Sequence, residues 1–362
     1  MQSYVASTSI SLSAGMDMLF DAYLTHESLQ CEPDDIPCTS DPVWILGEKY
    51  DANRELAAIR KDITSRLWFT YRKGFVPIGD SGITTDRGWG CMLRCGQMVI
   101  GQALLFMHLG RDWSMFEDNK SANYSIHQIA LMGASSENKE VGQWFGPNTV
   151  AQVIKKLSPY DQWSSLEVHV ALDNTLVIGD LKRLCLKQNK WSPLLLFLPL
   201  RLGLSEINPI YAESIKKCFS FPQSLGVIGG KPNHAMYFIG CVGNDLICLD
   251  PHKTQQAVRV TKECSKEDDI SFHCQFATRS PILDLDPSMA ICFFCATESD
   301  LDKLCQLLHD NLVVNEKQPL FVICSERPHD LSLSTMKAME DSNNFFNQVD
   351  EGDSDDEFEM LG

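Results

Sequence analysis

The sequence predicts an α+β domain, on three observations. Helical patterns come first and short strand-like apolar runs come later. No regular βαβ alternation links them, which disfavours a doubly wound sheet. The 362 residues, 44% of them apolar, are enough to fill the core of one large domain or two medium ones. The formal charge of −17 is uneven: nine acidic residues and no Lys or Arg lie between Glu340 and Gly362, leaving −8 for the first 339 residues. A chain of that sign does not attract phosphate backbones or anionic lipid through bulk charge, so nucleic acid and membrane surfaces are disfavoured as partners.

Residues 1–38 are Ser-rich and irregular, end near "CEPDDIPCTSD", and read as a flexible arm. They lack the basic n-region of a signal peptide. From "DPVWILGEKY" onward the apolar density is that of a globular domain, taken as 39–335. "LWFTYRKGF" looks like a helix end or a strand entering a turn at Gly74. "CMLRCGQMVIGQALLFMHLG" is long and apolar enough for a mostly buried helix stopping at Gly110. "NTVAQVIKKL" and "TLVIGDLKRLCLKQ" read as amphipathic helices. "SPLLLFLPLRLG", "AMYFIGCVG", "DLICLD" and "AICFFCATE" are short runs separated by Gly, Asn or Pro, which is a strand pattern. Residues 336–362 are too acidic and too poor in apolar side chains to pack, and read as a disordered tail. The longest apolar runs fall far short of the roughly 18 residues of a spanning helix, so a soluble, cytoplasmic protein is expected. In that setting most of the fourteen cysteines should be free thiols buried as small hydrophobes.

The stretch "TTDRGWGCMLRCGQM" carries the sharpest chemistry. Gly88 and Gly90 permit a tight turn, and a bulkier residue at either place would obstruct a substrate. If the helix starts at Cys91, the thiol sits at the positive end of the macrodipole, which favours thiolate. Papain-like enzymes place a nucleophile in this way. The plainer reading is a core cysteine beside a turn. Cys95 lies one turn on and is a core residue or a redox partner of Cys91. Cys292 and Cys295 form a lone C-x-x-C without a second pair at zinc spacing, so no metal is assigned.

A nucleophilic cysteine needs an imidazole base oriented by a carboxylate or amide. His108, His127, His169, His273 and His309 lie in helical or strand patterns and read as structural. Two candidates remain. In "LICLDPHKTQ" a strand ends at Asp250-Pro251-His252, and in extended chain residues i and i+2 share a face, which would set Asp250 beside His252. In "KPNHAMYFIGCVG" His234 opens a strand, as the base of papain-type proteases does, with Asp250 following as a possible third member. Local chemistry leaves both open.

The segments "PVWILG", "RLWFTYRKGF", "GWGCMLRCGQM", "HLGRDW", "YSIHQIA", "GQWFGPNTVAQV", "PLRLGLSEINPIY", "PQSLGVIGGKPN", "YFIG", "LDPHKTQ" and "SFHCQ" together resemble, in order, the autophagins, cysteine proteases that process the ubiquitin-like modifiers of autophagy. The resemblance runs from about Asp41 to Ala296. It implies a papain-like fold with a small additional subdomain and a triad of Cys91, His252 and Asp250, leaving His234 a bystander near the site. It implies that the Tyr71 hydroxyl and the Cys91 backbone N–H stabilise the oxyanion. It also implies that Trp144, and a loop holding Gly229, Gly230 and Pro232, close over the cysteine and admit only a glycine. The implied reaction is thiol acyl transfer after a carboxy-terminal glycine, maturing the precursor or releasing the modifier from phosphatidylethanolamine, without metal or cofactor. Implied partners are these modifiers, free and lipidated, acting on a monomeric enzyme; membranes enter only through the lipidated substrate. In the tail, Phe358 and Leu361 fit an aromatic–x–x–aliphatic motif for the modifier's docking groove. The segments "WSMFEDNKSANYSIHQ", "ASSENKEVGQW" and "NHAMYF" depart from the family pattern. A weakly active or inactive paralogue acting as a modifier-binding adaptor, and a thiol acyltransferase on the same fold, are the alternatives.

Overall fold

The computed structural model describes residues 36–108, 118, 121–259, 265–314 and 316–327. Most of the N-terminal arm, the acidic tail and its Phe358 and Leu361 lie outside the described residues.

A nine-stranded sheet forms the centre. Its strands are β1 (Pro42–Ile45), β2 (Glu48–Asp51), β3 (Glu167–Val170), β4 (Leu194–Arg201), β5 (Ser224–Lys231), β6 (His234–Val242), β7 (Asp245–Leu249), β8 (Thr278–Pro281) and β9 (Ser288–Cys295). The spatial order is β8-β7-β6-β5-β9-β4-β3, with β1 paired to β6 and β2 to β1. Every pairing is antiparallel except β3 with β4. The helices are α1 (Leu56–Ser65), α2 (Cys91–His108), α3 (Ile126–Ser136), α4 (Pro147–Leu157), α5 (Ile178–Cys185), α6 (Ala212–Cys218), α7 (Lys266–Ile270) and α8 (Glu298–Leu312).

Helices cover both faces of the sheet, which explains why the central strands read as unbroken apolar runs. In β4, Leu195 and Phe197 pack with α1 to α4, whereas Leu194, Leu196, Leu198 and Leu200 pack with α5, α6 and α8 on the other face. This is the two-residue alternation of a strand, with both sides buried. Cys292 and Cys295, three apart in β9, fall on opposite faces and cannot share a ligand.

The expected strands and the buried helix at Cys91 are present, as is the helix in "NTVAQVIKKL". "TLVIGDLKRLCLKQ" divides into a short strand at Thr175–Val177, α5, and a strand at Leu186–Lys187. Gly229 and Gly230, expected in a loop with Pro232, lie instead in "SLGVIGGK", the strand β5 between β6 and β9. The order of helices first and strands later is broken by β1, β2 and β3, which join the sheet from the first half of the chain. Among the described residues all twelve cysteines are free, ten of them buried. Among the described residues no helix is long and apolar enough to cross a membrane.

Candidate active site

Cys91 opens α2, so its backbone N–H is one of the donors left without a partner inside the helix, and its thiol lies at the positive end of the dipole. The preceding loop is held by buried charge. Asp86 takes a charge-assisted bond from Arg94 Nε at 2.7 Å and another from Nη2 at 3.1 Å, and accepts the Arg72 backbone N–H at 2.6 Å. Arg94 Nη1 also donates to Asp118 at 2.9 Å and to Gln97 at 3.0 Å. Gly90 lies against this network: a Cβ there would be 2.5 Å from Asp86 Oδ2. At Gly88 a Cβ would meet open space, but φ is +84°, in the left-handed region. The fold of the loop itself therefore requires both glycines. The Asp86–Arg94–Asp118 set leaves no mark in the sequence, because no spacing rule shows that the loop folds back onto the first turns of the helix.

His252 comes from the end of β7. Strand β7 ends at Leu249, and the chain turns at Asp250-Pro251-His252. The Asp250 Oδ1 atom accepts the His252 backbone N–H at 2.9 Å and lies 2.5 Å from His252 Nδ1. The pair is thus brought together by a turn, not by the extended geometry expected from the sequence. With Asp250 ionised, Nδ1 carries the proton and Nε2 is left for another partner. The turn is anchored by the Trp68 indole N–H, which donates to the Asp250 carbonyl at 2.7 Å. Tyr71 joins through its backbone: its N–H donates to the Pro251 carbonyl and its carbonyl accepts the Gln255 N–H, each at 2.9 Å. Its ring meets the His252 ring edge-on, with centroids 5.4 Å apart.

The Cys91 sulfur is buried against His252, Tyr71 and the Ala235 backbone N–H. Burial alone would raise the thiol's pKa, but the hydrogen-bonding capacity and charge of His252, with smaller contributions from Ala235 and Tyr71, bring it below the usual value. Burial likewise opposes the His252 imidazolium, yet Asp250 and Cys91 raise its pKa to about 10. Asp250 is held low despite burial, chiefly by His252. These three directions favour a thiolate–imidazolium pair backed by a carboxylate. Neither the Tyr71 hydroxyl nor His252 Nε2 has an aligned hydrogen-bond partner among the described residues. Both are close enough to the sulfur to act on it, and such bonds often tighten only when substrate is present.

His234, the rival base, is exposed and stacks on His252, with centroids 4.1 Å apart and planes 14° from parallel. One possible ligand atom from each of His234, Asp250 and His252 lies within 4.8 Å of the other two. Cys95 is fully buried, and burial first, then the nearby Cys91, raises its thiol well above the usual value. Trp144 is half-buried against the same core, and its indole N–H is buried without a partner among the described residues. Gly229 and Gly230 lie in β5, paired with Met236 and Ala235. A Cβ on Gly230 would be 2.3 Å from the His234 carbonyl. The turn of this hairpin is Pro232-Asn233, with Asn233 at φ 57°.

Residues 56–307 match the family model described as the Peptidase C54 catalytic domain. The chain belongs to the peptidase C54 family. These are papain-like cysteine proteases, the autophagins, and the enzyme is a thiol-dependent protease of autophagy. Among its relatives is Cysteine protease ATG4B of Xenopus laevis, 45% identical over 94% of this chain and 99% of the relative. Cysteine protease ATG4B of Gallus gallus is 48% identical over 86% of this chain and 91% of its own length. Cysteine protease ATG4A of Mus musculus is 46% identical over 82% and 84%. The peptidase C54 match spans the loop and helix of Cys91, the Tyr71 segment and the turn of Asp250 and His252.

Proposed function

We propose that Cys91 is the nucleophile, His252 the general base and acid, and Asp250 the group that fixes the ring of His252. The observation that carries this reading is the 2.5 Å contact of His252 Nδ1 with Asp250, which leaves Nε2 for the buried thiol at the start of α2. The Cys91 thiolate attacks a substrate carbonyl, and the oxyanion takes hydrogen bonds from the Tyr71 hydroxyl and the Cys91 backbone N–H. As the tetrahedral intermediate collapses, the C–N bond breaks and His252 gives its proton to the leaving amine. Water then attacks the thioester, losing its proton to His252, and release of the acid restores the thiolate.

The substrates are ubiquitin-like autophagy modifiers, cut after a carboxy-terminal glycine to mature the precursor and to release the modifier from phosphatidylethanolamine. Trp144 and the Pro232 turn roof the approach and admit glycine alone, while Gly229 and Gly230 let β5 and β6 come close enough to carry that turn. Phe358 and Leu361 of the acidic tail dock on the modifier. The catalytic domain spans 39–335 with a small inserted subdomain, and a cytoplasmic monomer in reducing surroundings suits a catalytic thiolate. The retained triad and the unpartnered Tyr71 hydroxyl weigh against a pure adaptor.

The test is cleavage of a modifier carrying a carboxy-terminal extension, read by mass spectrometry. Wild type should cut after the terminal glycine, Cys91→Ala and His252→Ala should not, and His234→Ala should. Loss with His234→Ala and retention with His252→Ala would reverse the assignment of the base. Binding of the modifier without cleavage by wild type would favour the adaptor.

A further inference from the structure

The base proposed for catalysis has a neighbour that the reaction does not use. His234 opens β6 at the surface and lays its imidazole on that of His252. The hairpin sets it there: Lys231 pairs with His234 across the Pro232-Asn233 turn, and β6 runs beside β7, whose end delivers Asp250. One nitrogen from each ring and one carboxylate oxygen of Asp250 all lie within 4.8 Å of one another. Ligands at about 2.0–2.2 Å around a tetrahedral ion stand closer together than that, so binding asks the exposed His234 side chain to rotate from its stacked position toward the other two.

We propose that His234, Asp250 and His252 form an inhibitory site for a divalent transition-metal ion of the zinc type. Two imidazoles and a carboxylate suit Zn²⁺, whereas Ca²⁺ and Mg²⁺ want shells made of oxygen. Three protein ligands also leave a fourth position for water, as in open zinc sites. Bound metal uses a lone pair of neutral His252, and the displaced proton goes to solvent. The ion takes Nδ1, the nitrogen that faces Asp250, so the ring loses its hydrogen bond to Asp250 and keeps its remaining proton on Nε2. The base is thereby withdrawn, and His234 adds a ligand without belonging to the reaction. The inhibition, though not the binding, rests on the role of His252 given above.

The site predicts a separation of variants. Calorimetry should find one Zn²⁺ per chain in wild type. Bound Co²⁺ should show visible absorption without the near-ultraviolet band of a cobalt–thiolate bond. Cys91→Ala should keep this binding, because the thiol is not a ligand. His234→Ala should still cleave modifier yet need at least about tenfold more Zn²⁺ for both binding and half-inhibition, as expected when a ligand is removed. Mg²⁺ should do neither. The proposal is overturned if wild type binds no Zn²⁺, if His234→Ala binds and is inhibited like wild type, or if binding disappears with Cys91→Ala. That last result would mean the thiol and His252 chelate the ion on their own. Metal binding without cleavage by wild type would uphold the site and remove the catalytic reading; cleavage without metal binding would do the reverse.

Discussion

Removing the Tyr71 hydroxyl separates transition-state stabilisation from folding. In the free protein this oxygen is buried, Tyr71 being 3% exposed, and it has no hydrogen-bond partner among the described residues. A buried polar atom without a partner costs the fold about 1–3 kcal/mol. Tyr71→Phe keeps the ring that meets His252 edge-on and takes from Cys91 only the small support its thiolate has from this hydroxyl. Stability should therefore hold or rise by up to about that amount. In the proposed reaction the same hydroxyl is an oxyanion donor, and losing one such donor should lower kcat by about 10²–10³, or roughly 2.7–4 kcal/mol. KM should move little, because the interaction forms mainly in the transition state. The assay is steady-state cleavage of a modifier fusion, with calorimetric unfolding of the same preparations. Unchanged kcat, or a loss of stability beyond about 1 kcal/mol, would refute the role given to this hydroxyl.

The buried Asp86–Arg94 pair should behave in the opposite way. Arg94→Met leaves Asp86 charged and unpaired, which costs about 3–5 kcal/mol on unfolding in denaturant and, by loosening the loop before Cys91, lowers kcat as well. Alkaline pH should end activity through His252. Because its folded pKa is raised to about 10 from 6.5, the imidazolium is complete below 6.5, and both activity and the pair's contribution to stability fall as pH rises through about 10. A kcat/KM profile should place the alkaline limb there in wild type and lower in Asp250→Asn. A wild-type limb near 6.5 would show that the ring is unperturbed. Brief alkylation with iodoacetamide, followed by peptide mapping, should mark Cys91, whose thiol is held low, well before Cys95, whose thiol is pushed up.

The extent to which the molecule can be read from its sequence follows from how local each signal is. β4, β6, β7 and β9 announce themselves as apolar runs, and α2 as a long apolar stretch after two glycines. β5 does not, because Gly226, Gly229 and Gly230 look like loop punctuation. In the sheet they are places of close approach: a Cβ on Gly226 would be 2.1 Å from the Phe238 carbonyl. The D-P-H stretch shows that Asp250 and His252 can meet, and His234 is an equal rival on local chemistry; the contact of His252 Nδ1 with Asp250 shows only in the placed rings. Family likeness, rather than spacing, favours His252 in the sequence. Arg94 lies eight residues after Asp86, and its second acidic partner, Asp118, twenty-four residues further on, separations that carry no periodic signal.

The central claim is that Cys91 carries the acyl group. Mixing enzyme with extended modifier, quenching in acid within a turnover and digesting the products should yield a Cys91 peptide joined to the modifier's carboxy-terminal glycine. That bond should be cleaved by hydroxylamine, as a thioester is, and absent with Cys91→Ala. An acyl group on Cys95 or another residue, or continued cleavage by Cys91→Ala, would contradict the account.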